Sequence, residues 1–224
     1  MRVTQNMLNK NLTFSMRNNF ERLNDLSTQL GTGQRVNTVS DDVVATRSIL
    51  TLKRTNKQID IHNQNLRQAR STLTIATNAL EKASEVMTSI KQVGVQASTE
   101  TYSSSNRQAM AVTLDGMLQS LVTVVNTTGE NGYVFAGEST DVKPYETTTG
   151  ADGEITDVRY AGQMISTSVK VGPSTSSEVN IVGEKIINRT GDLFKTVIDL
   201  REAVASGDQD RIEELVGELA NRHT

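Results

Sequence analysis

The sequence predicts a mainly α protein with a small β domain: an elongated antiparallel helical coiled-coil bundle carrying an inserted outer antiparallel β domain. Three observations predict it. Leu52, Ile59, Leu66, Leu73, Leu80 and Met87 recur at every seventh position, the period of a coiled-coil seam. After Asn126 the texture changes to short β-type runs punctuated by Gly, Thr and Ser. Only 4% of the 224 residues are aromatic and Trp is absent, so the apolar positions fall to Leu, Val, Ile, Met and Ala, which suit long packed helices better than a thick globular core.

Taken in order, residues 3–30 show helical spacing, with Val3, Met7, Leu12, Met16, Leu23 and Leu30 along one ragged stripe and Phe14 and Phe20 on neighbouring faces. Several Asn and Thr residues lower the helix propensity here, so the segment is expected to order only when packed. Gly31-Thr32-Gly33 breaks it from the next helix. That helix is expected to start at Ser40, as the cap, with Asp41 and Asp42 in the positive first turn, and to run to about Ser98, a rod of roughly 85 Å at 1.5 Å per residue. From Leu66 onward Ala69, Ala76, Ala83 and Ile90 follow the heptad leucines by three, so Leu66, Ala69, Leu73, Ala76 and Leu80 are expected to pack within the chain.

A second helix follows Ser103-Ser104-Ser105, with Met110, Leu114, Met117, Leu121 and Val124 at spacings of four and three. A short connection favours the rod as its antiparallel partner. Asn131-Gly132 before Tyr133-Val134-Phe135, Asp152-Gly153 before Ile155, Met164 to Val171 and Val179 to Val182 predict one small antiparallel sheet. Asp192 to Ala205 and Gln209 to Ala220 read as helices again, separated at Ser206-Gly207-Asp208. The expected domains are residues 1–39, 40–131, 132–190 and 191–224.

Charge and composition narrow the function. The net charge is −3, which points to neither nucleic acid nor a membrane surface. The balance hides an asymmetry: residues 1–70 hold eleven Lys and Arg against five Asp and Glu, and the remainder twelve against twenty-one. Copies of such a chain could meet electrostatically. Absence of cysteine excludes disulfides, thiolate metal sites and thiol nucleophiles. No 18-residue apolar run and no apolar leader core are present, so neither a membrane span nor a cleaved signal peptide is expected.

Candidate chemistry reduces to structure. His62 and His223, the only two histidines, read as structural or solvated. Asp41 and Asp42 point about 100° apart on a helix and fit a helix start better than an acid/base pair. Gly31-Thr32-Gly33 lacks the Lys-Ser/Thr of a phosphate loop and reads as a joint. The basic group Arg47, Lys53, Arg54, Lys57, Arg67 and Arg70 lacks interleaved aromatics, which argues against nucleic acid. Asn-x-Thr triplets at Asn11, Asn126 and Asn188 are chance matches in an Asn- and Thr-rich chain. No catalytic residue, metal ligand or cofactor site is expected, and no nucleophile, base and orienting group can be assembled; the chain is read as not an enzyme.

Residues Leu26 to Asn37 (LSTQLGTGQRVN), followed by Ser40-Asp41-Asp42, resemble the N-terminal signature of the flagellin superfamily. Asn126-Thr127-Thr128 and Asn131 to Gly137 (NGYVFAG) resemble the segment that marks its hook–filament junction members. The motif residues are Gly31, Gly33, Arg35, Asn37, Ser40, Asp41, Asp42, Phe135 and Gly137. The resemblance implies a passive structural subunit of the bacterial flagellum, secreted to the extracellular flagellum without a cleaved signal peptide. It implies copies of the chain in a ring that adapts hook to filament, with another hook-associated protein on the hook side, flagellin on the filament side, and an export chaperone before assembly. Residues 1–39 would be the inner-tube helix, and Val3, Met7, Leu12, Met16, Phe20, Leu23 and Leu30 the contacts between subunits. Members of the superfamily end with helices that return along the N-terminal ones, so on the order of one to two C-terminal helices are expected to be missing from the seam. The near alternative is flagellin itself, against which Tyr133-Val134-Phe135-Ala136-Gly137 speaks. The alternative from another class is a soluble coiled-coil adaptor, whose N-terminus would resist proteolysis.

Overall fold

The computed structural model describes residues 5–99, 102–166, 168–172, 174–179, 181–188 and 191–222, in two compact units of residues 1–61 and 62–224.

In the first unit, α1 (Gln5–Thr32) is a single helix whose described side chains are all exposed except half-buried Gln29. The hydroxyls of Thr13, Thr28 and Thr32 donate to the carbonyls of Asn9, Asn24 and Thr28, four residues back, which satisfies polar groups locally. The helix stops at Gly33, whose φ of +66° is the left-handed conformation that a residue without Cβ adopts freely. After a connector, α2 (Val43–Thr99) begins. Its cap is Asp42, not Ser40: the Asp42 carboxylate accepts from the Ala45 amide at 2.9 Å, while Ser40 lies exposed in the preceding turn. A carboxylate outcompetes a hydroxyl at a positive helix end, and so the helix starts two residues later than the serine predicts.

The second unit contains the rest of α2, then α3 (Ser104–Val125), α4 (Gly183–Ile187), α5 (Leu193–Ser206) and α6 (Gln209–Arg222). Ser103 caps α3 through the Asn106 amide, Asp192 caps α5 through the Lys195 amide, and Gly207 at φ +79° ends α5. Fully buried Ile90, Leu114, Leu118, Leu121, Phe194, Leu200, Ile212, Leu215 and Leu219 form one core from four helices. Two expectations are corrected here. The closest neighbour of α3 is α5, not α2, although Met87 and Ile90 of α2 share its core. The buried stripe of α2 also follows the alanine line of the predicted seam more closely than its leucine line. Ala69, Ala76, Ala79, Ile90 and Ala97 are buried, but Leu66 and Leu73 are 45% and 41% exposed and Leu80 is half-buried. The small-residue line is the one against which other backbone can approach, and Ala76 and Ala79 pack on Val134 and Phe135. Of the leucine line, Leu66 and Leu73 face outward, whereas Leu80 packs beside Ala76 and Ala79 and Met87 lies in the main core.

The β region is not one sheet. Among the described residues it consists of three separate antiparallel hairpins: β1 (Thr128–Gly129) with β2 (Gly132–Tyr133), β3 (Tyr145–Thr149) with β4 (Ile155–Tyr160), and β5 (Ser168–Lys170) with β6 (Ser176–Glu178). The β3–β4 pair turns through Asp152-Gly153 as the sequence predicts, with a register shift at Thr148/Thr149. Met164 and Ile165 are exposed and outside any strand. Each pair leans on helices instead of on another pair. Tyr145 packs edge-on to Tyr160 at 5.2 Å and against Phe194 at 5.1 Å, and the Asn126 side chain exchanges two hydrogen bonds with the Tyr145 backbone, 2.9 and 3.0 Å. α3 is long and apolar enough to cross a membrane by composition, but Leu114, Leu118, Leu121 and Val125 are fully buried in the protein core.

Candidate functional site

The chain's most unusual surface is α1. Met7, Leu12, Met16, Phe20, Leu23 and Leu30 are 60%, 56%, 61%, 68%, 62% and 84% exposed, and Leu8, Phe14 and Leu26 are exposed beside them. Val3, placed on the same stripe by the sequence, lies outside the described residues. Burying a side chain of this size is worth about 1.5–3 kcal/mol, and soluble monomers rarely present an apolar surface so continuous. Every apolar side chain of α1 from Met7 to Leu30 is thus exposed. The same holds for the outward line of α2, where Leu52 and Ile59 are 63% and 49% exposed in the first unit.

Between α1 and α2 the residues Gly33, Arg35, Asn37, Asp41 and Asp42 build a connector held by local polar contacts. Asp41 accepts from the Asn37 and Thr38 amides at 2.9 and 2.8 Å and from the Thr38 hydroxyl at 2.7 Å. The Asn37 side chain donates to the Gln34 carbonyl at 3.1 Å. Arg35 reaches Asp42 at 3.1 Å. Gly31 has open space around it and no positive φ. These bonds fix the direction in which the chain leaves α1, because Asp41 ties the turn shut while Asp42 starts the next helix. The two carboxylates are engaged as acceptors, and the described residues contain no cluster of His, Cys, Asp or Glu able to hold a metal.

The Thr38 hydroxyl and amide, then the Asn37 amide, hold the Asp41 carboxyl below its usual range; the Ala45 amide and then Arg35 do the same for Asp42. Folded-state pKa values below the unfolded ones mean that this contribution is complete above the ordinary carboxylate value and is lost as pH falls through the lowered values. Acidification below about pH 4 is therefore expected to open the connector, read as loss of the shifted NMR amide signals of Asn37, Thr38 and Ala45. An Asp41→Asn variant is expected to lose the Asn37 and Thr38 signals already at neutral pH.

Phe135 and Gly137 have a structural task. Phe135 is 1% exposed, and its carbonyl accepts from the Gly183 amide and from the Tyr160 hydroxyl, both at 3.0 Å. Gly137 sits at φ +68°, and a Cβ there would come within 2.2 Å of the Gln163 carbonyl oxygen. Gly137→Ala is accordingly expected to destabilise the second unit by about 2 kcal/mol or more, read as a lower urea midpoint. His62, predicted to be structural or solvated, sits 3.3 Å from the Lys170 carbonyl with its Nδ1, and Asn65 donates to the same oxygen at 2.9 Å. His223 lies outside the described residues. Arg47, Lys53, Arg54, Lys57, Arg67 and Arg70 are all exposed.

One group escaped sequence reasoning. Arg201 of α5 is 4% exposed at its side chain and meets Asp115 of α3 at 2.6 Å. Its Nη1 also donates to the Ile155 carbonyl at 2.9 Å, while the Ile155 amide and Gln119 side chain donate to Asp115 at 3.2 and 3.0 Å. This buried network clamps β4 to the helices. Asp115 interrupts an apolar helix face, and that was the signal available.

Comparison with known proteins places these features in context. Residues 3–140 match the family described as the bacterial flagellin N-terminal helical region. The flagellar hook-associated protein 3 of Escherichia coli is 27% identical over 71% of this chain and 48% of its own length. The protein of the same name from Salmonella typhimurium is 24% identical over 84% of this chain and 57% of its own length. The chain thus spans about half the length of these curated relatives. Bacillus cereus FlgL superposes with a TM-score of 0.62 at 23% identity, covering 80% of this chain and 83% of that one, a likeness of fold.

Proposed function

Since the chain belongs to the family of the bacterial flagellin N-terminal helical region, we propose that it is a structural subunit of the flagellum that stands where hook meets filament and assembles by helix packing. The carrying observation is the uncovered apolar stripe of α1, from Met7 to Leu30. A helix with so exposed an apolar stripe is stabilised by neighbours, and repeated copies supply neighbours. The relatives named for the hook-associated role, at 27% and 24% identity, support the junction over the filament.

In this reading α1 with residues 1–39 lines the inner tube, the helices of the second unit stiffen the subunit, and residues 132–190 face outward. Copies of the chain form a ring, another hook-associated protein meets it on the hook side and flagellin on the filament side. The chain is held by an export chaperone before secretion without a cleaved signal peptide. Nucleic acid, membrane insertion, cofactors and catalysis play no part.

Immunogold electron microscopy on source cells, with antibody to residues 132–190, tests this. A single band of gold between hook and filament is the expected result. Label along the whole filament would mean a filament subunit, and label confined to cell bodies would return the chain to a coiled-coil adaptor.

A further inference from the structure

The unpaired charges of α2 and α6 carry an inference that rests on the assembly reading and names the surface that a second copy uses. Between Val43 and Lys57 the helix α2 contains Arg47, Lys53, Arg54 and Lys57 and no acid. All four are exposed, and none takes part in an ion pair among the described residues, where the ion pairs of arginine involve Arg35, Arg159, Arg201 and Arg211. Spacings of three, four and seven place Arg54 beside Lys57, Lys57 beside Lys53, and Arg47 two turns below Arg54, on one flank of the helix.

The complementary surface is on α6. Ile212, Leu215 and Leu219 are each 1% exposed and turn one side of this helix into the core. The opposite side presents Asp210, Glu213 and Gly217 at spacings of three and four, with Glu214 and Glu218 at its edge. Asp210 and Glu213 are exposed and have no ion-pair partner among the described residues. Arg211 is occupied by Glu214 at 2.6 Å and Asp199 at 3.6 Å, so it does not neutralise them. A Cβ at Gly217 would meet nothing within 4 Å, which leaves room for a helix to lie close.

We infer that the basic flank of α2 at Arg54 and Lys57 seats on Asp210 and Glu213 of α6 in a second copy of this chain. The two pairs have the same three-residue spacing, about 4.5 Å of helix rise, so both ion pairs can form in one register. The contact is between unlike surfaces, and such contacts propagate from copy to copy or close into a ring. Apolar burial of α1 supplies affinity; the charge match selects the register, since like charges brought together are strongly disfavoured.

Charge exchange in the full chain tests this. Sedimentation velocity is run over a concentration series at roughly 0.02 and 0.5 M salt, across which screening of exposed charges changes severalfold. The wild-type chain should self-associate more strongly at low salt. R54E/K57E and D210K/E213K should each weaken association at low salt by at least about tenfold, and an equimolar mixture of the two should restore it, because each reversed surface then meets its opposite. Single variants that associate like the wild type overturn the contact while leaving assembly itself standing. Loss of association that mixing does not restore also overturns it. A wild-type chain that stays monomeric overturns it too, and the immunogold result then decides the assembly reading separately.

Discussion

Phe20→Asp in the full chain is expected to abolish incorporation into the flagellum while leaving the isolated chain as stable as the wild type. Phe20 is 68% exposed on α1, so the substitution removes no packing within the chain, and surface replacements of this kind shift stability by about 0.5 kcal/mol or less. In an assembly the same position would lose about 1.5–3 kcal/mol of burial and oblige a carboxylate to enter an apolar contact without a partner. Every 1.4 kcal/mol is about a tenfold change in affinity, and the loss repeats at each copy. The two measurements are a urea denaturation curve, expected unchanged, and motility of cells whose only copy carries the variant, expected lost. A variant that unfolds at lower urea would instead mean that α1 packs within its own chain.

The second large effect concerns stability alone. Arg201→Ala is expected to destabilise the second unit by about 3–5 kcal/mol, because it strands the Asp115 carboxylate, buried beside β4, without its cation. The Ile155 carbonyl, which accepts from the same guanidinium at 2.9 Å, loses its side-chain donor as well. Replacing both partners with apolar residues, as in Asp115→Leu with Arg201→Met, removes the stranded charge and is expected to cost far less than the single change. Urea midpoints of the three chains give the comparison. Equal losses for the single and double variants would show that the network's value lies in its shape and not in its charge balance.

Local signals survived into the structure and long-range ones did not. Ser103, Asp192 and Gly207 bound their helices where cap chemistry places them, since a cap is decided by atoms three or four residues away. The Asp152-Gly153 turn made its hairpin for the same reason. The heptad of α2 announced a helix, but a period cannot say which line of a two-line pattern is covered. Ala76 and Ala79 were covered, by Val134 and Phe135 from a distant part of the chain, while Leu66 and Leu73 stayed exposed. Asp115 and Arg201 stand 86 residues apart, and nothing in sequence spacing joins them. The β runs were visible one by one, yet their separation into three pairs depends on which helix each finds. For the candidate site, the stripe of α1 was legible as ragged spacing, and the connector as a motif. The choice of Asp42 over Ser40 as the cap was not, because capping residues two positions apart compete and only geometry shows the winner.

The proposed role of the apolar stripe of α1 is that of an interface between subunits at the hook–filament junction. Electron cryomicroscopy of intact junctions from the source cells tests it most directly. The expected result is a ring of this chain with Met7, Leu12, Met16, Phe20, Leu23 and Leu30 covered by neighbouring subunits; a ring in which those side chains face solvent, or a junction without this chain, would overturn that role.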